Sequence, residues 1–219
     1  MEATGHSLDR HLNITSDILN GEVTGAYSFT TIVPSFMQTL KGYVPALVNV
    51  TQKKQKVMEN NFSLLLTIEN TEAISNTLKL PITMLNQARI TGHYNNQYNR
   101  FRLEAYLPKF NIGKSMFESG YLTCDNPEDM VNLKLKATNY NAKGLRNYMN
   151  LKINAKDNQI QTQIGWANNK ERLFKADLSA STFFIEEKQE KGSAKLRTEI
   201  LLHESPLILN DSIWHIAPS

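Results

Sequence analysis

From residue 129 to residue 166 the chain alternates apolar and polar side chains through three successive segments separated by short polar breaks. In the first, Val131, Leu133, Leu135 and Ala137 alternate with Asn132, Lys134 and Lys136. In the second, Met149, Leu151, Ile153 and Ala155 alternate with Asn150, Lys152 and Asn154; in the third, Ile160, Ile164 and Trp166 stand against Gln159, Gln161 and Gln163. Successive side chains of a strand point to opposite faces of its sheet, so each segment predicts a strand that is apolar on one face and polar on the other. Strands buried on both sides would read as continuous apolar runs, and these do not. A sheet made of such strands has one dry face, and the functional question becomes what that face touches.

Elsewhere the same period recurs. Residues 1–33 predict a hairpin turning at Asn20-Gly21, with Val23, Gly25, Tyr27, Phe29 and Thr31 carrying the return strand. Pro34 then opens an amphipathic helix over 34–50, bent or ended near Gly42 and Pro45, in which Phe36, Met37, Leu40, Val44 and Leu47 recur every three or four residues and Phe36 and Leu40 form the inner edge. The stretch 53–61 is charged and predicts a loop. From residue 62 to 219 the chain reads as a β-sheet section, broken by a short helix that begins near Asn70-Thr71-Glu72 and runs to Leu78. Residues 88–94 and 98–107 predict a second hairpin across Asn95-Asn96-Gln97, with Pro108 ending its return strand. The run Glu186 to Lys191 predicts a solvated loop, and Ser212 to Ile216 alternates again as a strand. The expected fold is therefore mainly β: an antiparallel, one-sided meander with one or two short amphipathic helices.

With 219 residues, 41% of them hydrophobic, the chain is long enough to form a substantial core and is not disordered. A net charge of +3, with basic and acidic residues intermingled, leaves no footprint for nucleic acid. Uninterrupted apolar runs are only a few residues long, as at Leu64-Leu65-Leu66, so no helical membrane span is expected. The first residues lack the basic and apolar regions of a signal peptide, and the last strand-like run stops without a polar tail; together these suggest a section of a longer chain.

Catalytic chemistry finds no candidate in this sequence. The five histidines lack metal-ligand spacing, and His203 and Glu204, neighbours on a strand, would face opposite ways. No nucleophile elbow, phosphate-cradling glycine loop or acidic calcium loop is present. The single cysteine, Cys124, excludes an internal disulfide and reads as a small buried side chain. Asn13, Asn49, Asn61 and Asn210 begin glycosylation sequons, which matter only in a eukaryotic secretory chain. What remains is the dry face. If a second layer covers it, the chain is a closed β-sandwich that binds or adheres through its loops, the architecture that the residue pattern alone favours. If the sheet curls without closing, the face becomes an apolar trough larger than the few hundred Å² a soluble monomer normally exposes.

Several stretches taken in order resemble the TamB family of AsmA-like envelope proteins in the version carried by Bacteroides-type bacteria. They are the run from Gly21 to Phe29, the Pro34-Ser35-Phe36 helix with Gly42 to Leu47, the strand from Ala88 to Tyr94, and the closing run from Pro206 to Pro218 around Trp214. The resemblance implies a mid-chain section of a long protein anchored in the inner membrane. Such a protein crosses the periplasm as a folded-over, open β-sheet (a β-taco) with a continuous hydrophobic groove. It also implies a role in moving phospholipid between inner and outer membranes, an older assignment to outer-membrane protein assembly, and an outer-membrane barrel partner reached through a C-terminal region outside this chain. No cofactor or energy source is implied. On this reading Phe101, Leu103, Val131, Leu133, Leu135, Leu151, Ile153, Ile160, Ile164, Ile200 and Leu202 line the groove and replace water around acyl chains.

Overall fold

A computed structural model of the chain describes residues 2–6, 9–48, 59–140, 144–168, 174–187, 195–210 and 212–218. The loop expected at 53–61 and the charged run from Glu186 lie largely outside these residues, as does the sequon asparagine at 49. Among the described residues there is one open antiparallel sheet of 15 strands and no second sheet facing it, so the closed sandwich is not formed.

The sheet begins with β1 (Glu2–His6), β2 (Asp9–Ile14) and β3 (Leu19–Ala26), joined to β4 (Asn61–Ile68) after helix α1 (Ile32–Lys41). Helix α2 (Glu72–Leu78) and the short β5 (Ile82–Met84) precede the long hairpin β6 (Ala88–Asn95) and β7 (Arg100–Ile112). The meander continues through β8 (Ser115–Asp125), β9 (Val131–Tyr140), β10 (Arg146–Lys156), β11 (Gln159–Asn168) and β12 (Phe174–Glu187). It closes with β13 (Lys195–Leu202), β14 (Ser205–Leu209) and β15 (Ser212–Ile216). Strand follows strand in order, except that β5 pairs with β7 and that β12 is flanked on the same side first by β14 and then by β13.

The three strands read from the strongest alternation are β9, β10 and β11. The first turn is elsewhere than expected. Asn20 and Gly21 lie inside β3, and the chain reverses at residues 15–18, where the Ser16 hydroxyl donates to the Leu19 carbonyl and accepts from the Leu19 amide, both at 2.9 Å. Gly21 serves close approach: a Cβ there would stand 2.2 Å from the Leu65 carbonyl oxygen. The N-terminal strands are thus three, not two, and belong to the same sheet as the 62–219 section.

Pro108 does not end a strand. It sits within β7, between the part paired to β6 and the part paired to β5, where no ladder partner needs its missing N–H. Opposite it Ser119 takes a left-handed conformation (φ 53°), and the β8–β9 register slips there by a residue. The bulge reverses the facing of the residues beyond it. A Cβ on Gly120 would meet both Leu107 and Phe110, so Phe110, three residues after Leu107, returns to the same side and stacks on Phe117 at 5.4 Å.

Helix α1 starts two residues before Pro34 and ends at Lys41, beside Gly42 where an end or bend is expected, and does not run on to 50. Pro34 falls in the first turn, where backbone N–H groups lack intrahelical acceptors, so its missing donor costs little. Gly42 and Pro45 bring the helix to its close, and residues 42–48 continue as turns.

Candidate functional site

In an antiparallel ladder, paired residues share a face, so the register alone shows which side chains lie together. One row runs from β2 across the sheet to β13. From β2 to β7 it is Leu12, Val23, Leu64, Gly92 and Leu103. Across β8 to β13 it continues as Cys124, Leu133, Ile153, Thr162, Ala180 and Leu202. A second row, two residues along each strand, contains Leu66, Ile90, Ala105, Leu122, Leu135, Leu151, Ile164 and Leu178. The row between them, on the opposite face, includes Glu104, Thr123, Lys134, Lys152, Gln163 and Ser179. The sheet therefore has one apolar face along its length and an opposite face that is mainly polar.

All eleven residues expected to line the dry side fall on it. Leu103, Leu133, Ile153 and Leu202 belong to the first row, and Leu135, Leu151 and Ile164 to the second. Phe101, Val131, Ile160 and Ile200 occupy a third row at the end of the sheet marked by the β6–β7 and β10–β11 turns. Their surroundings differ. Ile164, Ile200 and Leu202 are exposed, Ile200 to 63%. Phe101 is covered: Phe36 of α1 stands edge-on to it at 5.2 Å and to Tyr94 at 5.7 Å. Val131 packs against the same cluster.

Helix α1 lies across that third row in the first half of the sheet, where Phe62, Tyr94 and Phe101 are only 8%, 4% and 7% exposed. Three asparagines hold it and its continuation. Asn60, just before β4, accepts from the Ser28 amide and donates to Thr31 and Ser35 at the helix start. Asn126, after β8, accepts from the Phe101 amide at 2.8 Å and donates to the Tyr43 hydroxyl at 2.7 Å. Asn158, in the β10–β11 turn, accepts from the Ala46 amide at 2.8 Å while its own amide donates to the Tyr43 carbonyl at 3.0 Å. Thr39 and Tyr94 add a buried hydroxyl pair at 3.1 Å, and burial pushes the Tyr94 phenol above its ordinary range.

Sequence reasoning found the apolar stripe of β9–β13 and the inner edge of α1 at Phe36 and Leu40. It missed the strands before Phe101 as members of the same rows, although Leu64, Leu66 and Ile90 carry the same alternation. The asparagines carried no signal beyond their place in turns. Cys124 faces the apolar side, half-buried, and burial followed by the neighbouring Asp125 charge raises its thiol above the usual range. His203 and Glu204 lie past the end of β13 and not on a strand as expected, and they are turned to different partners. The His203 ring meets Ser181 Oγ at 2.8 Å, and Glu204 meets His215 at 3.2 Å. The Ser181–His203 pair has a structural setting: the Ser205 hydroxyl accepts from the Ser179 amide and donates to the His203 carbonyl, closing the gap where β13 gives way to β14.

A shallow depression of about 780 Å³ lies on the polar side, between Lys136, Asn150, Lys152, Gln163, Asp177 and Glu204. Two cations and two carboxylates offset one another there, so it favours neither sign of ligand. Comparisons with protein-family models, with curated proteins and with solved structures found no match to this chain.

Proposed function

We propose that the apolar face is a section of a hydrophobic groove that conducts phospholipid between inner and outer membranes, with acyl chains on the face and head groups in solvent. The observation that carries this reading is the pair of apolar rows that run strand to strand without a charged interruption, half-buried over the later strands and exposed at Ile164 and Leu202. Scattered surface hydrophobics need no explanation, but a contiguous band of this kind marks an interaction surface. From β8 to β15 the path crosses six strand spacings, roughly 29 Å at about 4.8 Å each. One acyl chain occupies about half of a bilayer's hydrocarbon core, roughly 15 Å. The open half is therefore long enough to hold a chain lying along it.

The resemblance to the TamB family supplies the setting: the periplasm of a Gram-negative bacterium, a full-length protein held in the inner membrane, and an outer-membrane barrel as partner. A contribution to outer-membrane protein assembly belongs to the same proposal. The residues act passively, with no cofactor, because transfer of hydrocarbon from water to this face is favourable at about 25 cal/mol per Å². Purification of the 219-residue chain from a Gram-negative host, followed by native mass spectrometry and lipid extraction, tests this. Co-purifying phospholipid is expected; a chain that carries none and takes up none from phosphatidylethanolamine vesicles refutes it.

A further inference from the structure

We infer that α1 and residues 42–48 are a fixed stopper that sets the calibre of the groove, denying acyl chains the third apolar row over the first half of the sheet. The inference rests on the lipid reading above and specifies where on the face hydrocarbon can lie. At β13 the third row is open, because Ile200 is 63% exposed. Over β4–β7 the same row is Phe62, Tyr94 and Phe101, and Phe36 occupies the space a lipid tail would need. A chain passing from the later strands to the earlier ones is displaced along the strands by one row, about 7 Å for two residues.

The stopper is held as a permanent part of the fold. Asn60 and Asn126 are 0% and 1% exposed, and swinging α1 and its flanks away would break the bonds that their buried amides donate to Thr31, Ser35 and Tyr43. The tether at Asn158 reaches past β9 to the β10–β11 turn, so the segment is pinned at both of its ends. Its far side also carries exposed apolar side chains, Val33 and Met37, one helical turn apart.

Quenching of tryptophan fluorescence by brominated phosphatidylethanolamine vesicles tests the stopper. The chain's own tryptophans, Trp166 and Trp214, lie on the apolar face and report whether lipid engages it at all. In a W166F/W214F background, a single tryptophan is then placed on the third row at Ile200→Trp, which is open, or Phe101→Trp, which is covered. The expected result is strong quenching of the native chain and of Ile200→Trp, with quenching several-fold weaker at Phe101→Trp. Equal quenching at the two positions overturns the stopper while leaving the lipid reading intact. Absence of quenching in the native chain defeats the lipid reading, and the stopper with it. Acrylamide access separates shielding from misfolding: if Phe101→Trp is as accessible as in the urea-unfolded chain, Phe62→Trp replaces it and the same outcomes decide.

Discussion

The bond between Asn126 and Tyr43 joins α1's continuation to the sheet, and the cost of removing it is set by the partners left behind. Tyr43→Phe deletes one hydroxyl and leaves one Asn126 N–H with no acceptor in a site that is almost wholly buried. An unsatisfied buried donor costs about 1–3 kcal/mol. Asn126→Ala deletes the same bond together with the acceptor for the Phe101 amide and the donor to the Asn99 carbonyl. That change costs about 3–4 kcal/mol, since two orphaned groups remain and the third, a carbonyl, retains other options. In the double variant the Tyr43 contribution has already gone, so the two effects fall short of additivity by about 1–2 kcal/mol. Urea unfolding of the four proteins measures the cycle, and for a chain of this length each kcal/mol also lowers Tm by about 2–4 °C. Additivity within about 0.5 kcal/mol would show the two side chains to be independent and would refute the described pinning of residues 42–48.

Two further outcomes test the backbone and the apolar face. Gly25 has φ 121°, and a Cβ there would stand 2.4 Å from the Asn61 carbonyl oxygen, so Gly25→Ala forces β3 and β4 apart and costs about 3 kcal/mol or more. Gly113→Ala, at φ 58° with open space around it, costs only about 1 kcal/mol, and thermal melts of the two variants read the difference. At Cys124 the folded thiol titrates above its unfolded value because burial disfavours the thiolate. Its contribution to stability is therefore full below the unfolded pKa and lost as pH rises through the folded one. Iodoacetamide labelling is expected to need a higher pH in the folded chain than in urea, and a folded profile at or below the unfolded one contradicts the burial.

The sheet was largely legible because its strands are one-sided. A residue in an alternating run declares its face, and Leu133, Leu151 and Ile164 needed no tertiary information to be placed together. Legibility failed where a residue served a non-local need. Asn20-Gly21 has the composition of a hairpin turn, yet Gly21 is required where β3 approaches β4, and the turn is built from the Ser16 side chain instead. Pro108 looks like a terminator, but the gap between β6 and β5 spares it a ladder bond, and the bulge at Ser119 then returns Phe110 to the apolar side against the period. The placement of α1 was the largest omission in the candidate site. Phe36 and Leu40 mark its inner edge, but the partners that fix it, Asn126 and Asn158, are turn residues far downstream in the chain. No periodicity links them to the helix.

The most direct measurement compares the two faces of the same strands in phospholipid binding. Leu133→Glu, Leu151→Glu and Ile164→Glu place charge on the apolar rows, whereas Lys134→Glu, Lys152→Glu and Gln161→Glu alter the polar face of the same strands. With folding of each variant checked by circular dichroism, the expected result is loss of bound phospholipid in the first set and retention in the second. Equal effects from both sets would contradict the claim that hydrocarbon lies on the apolar face.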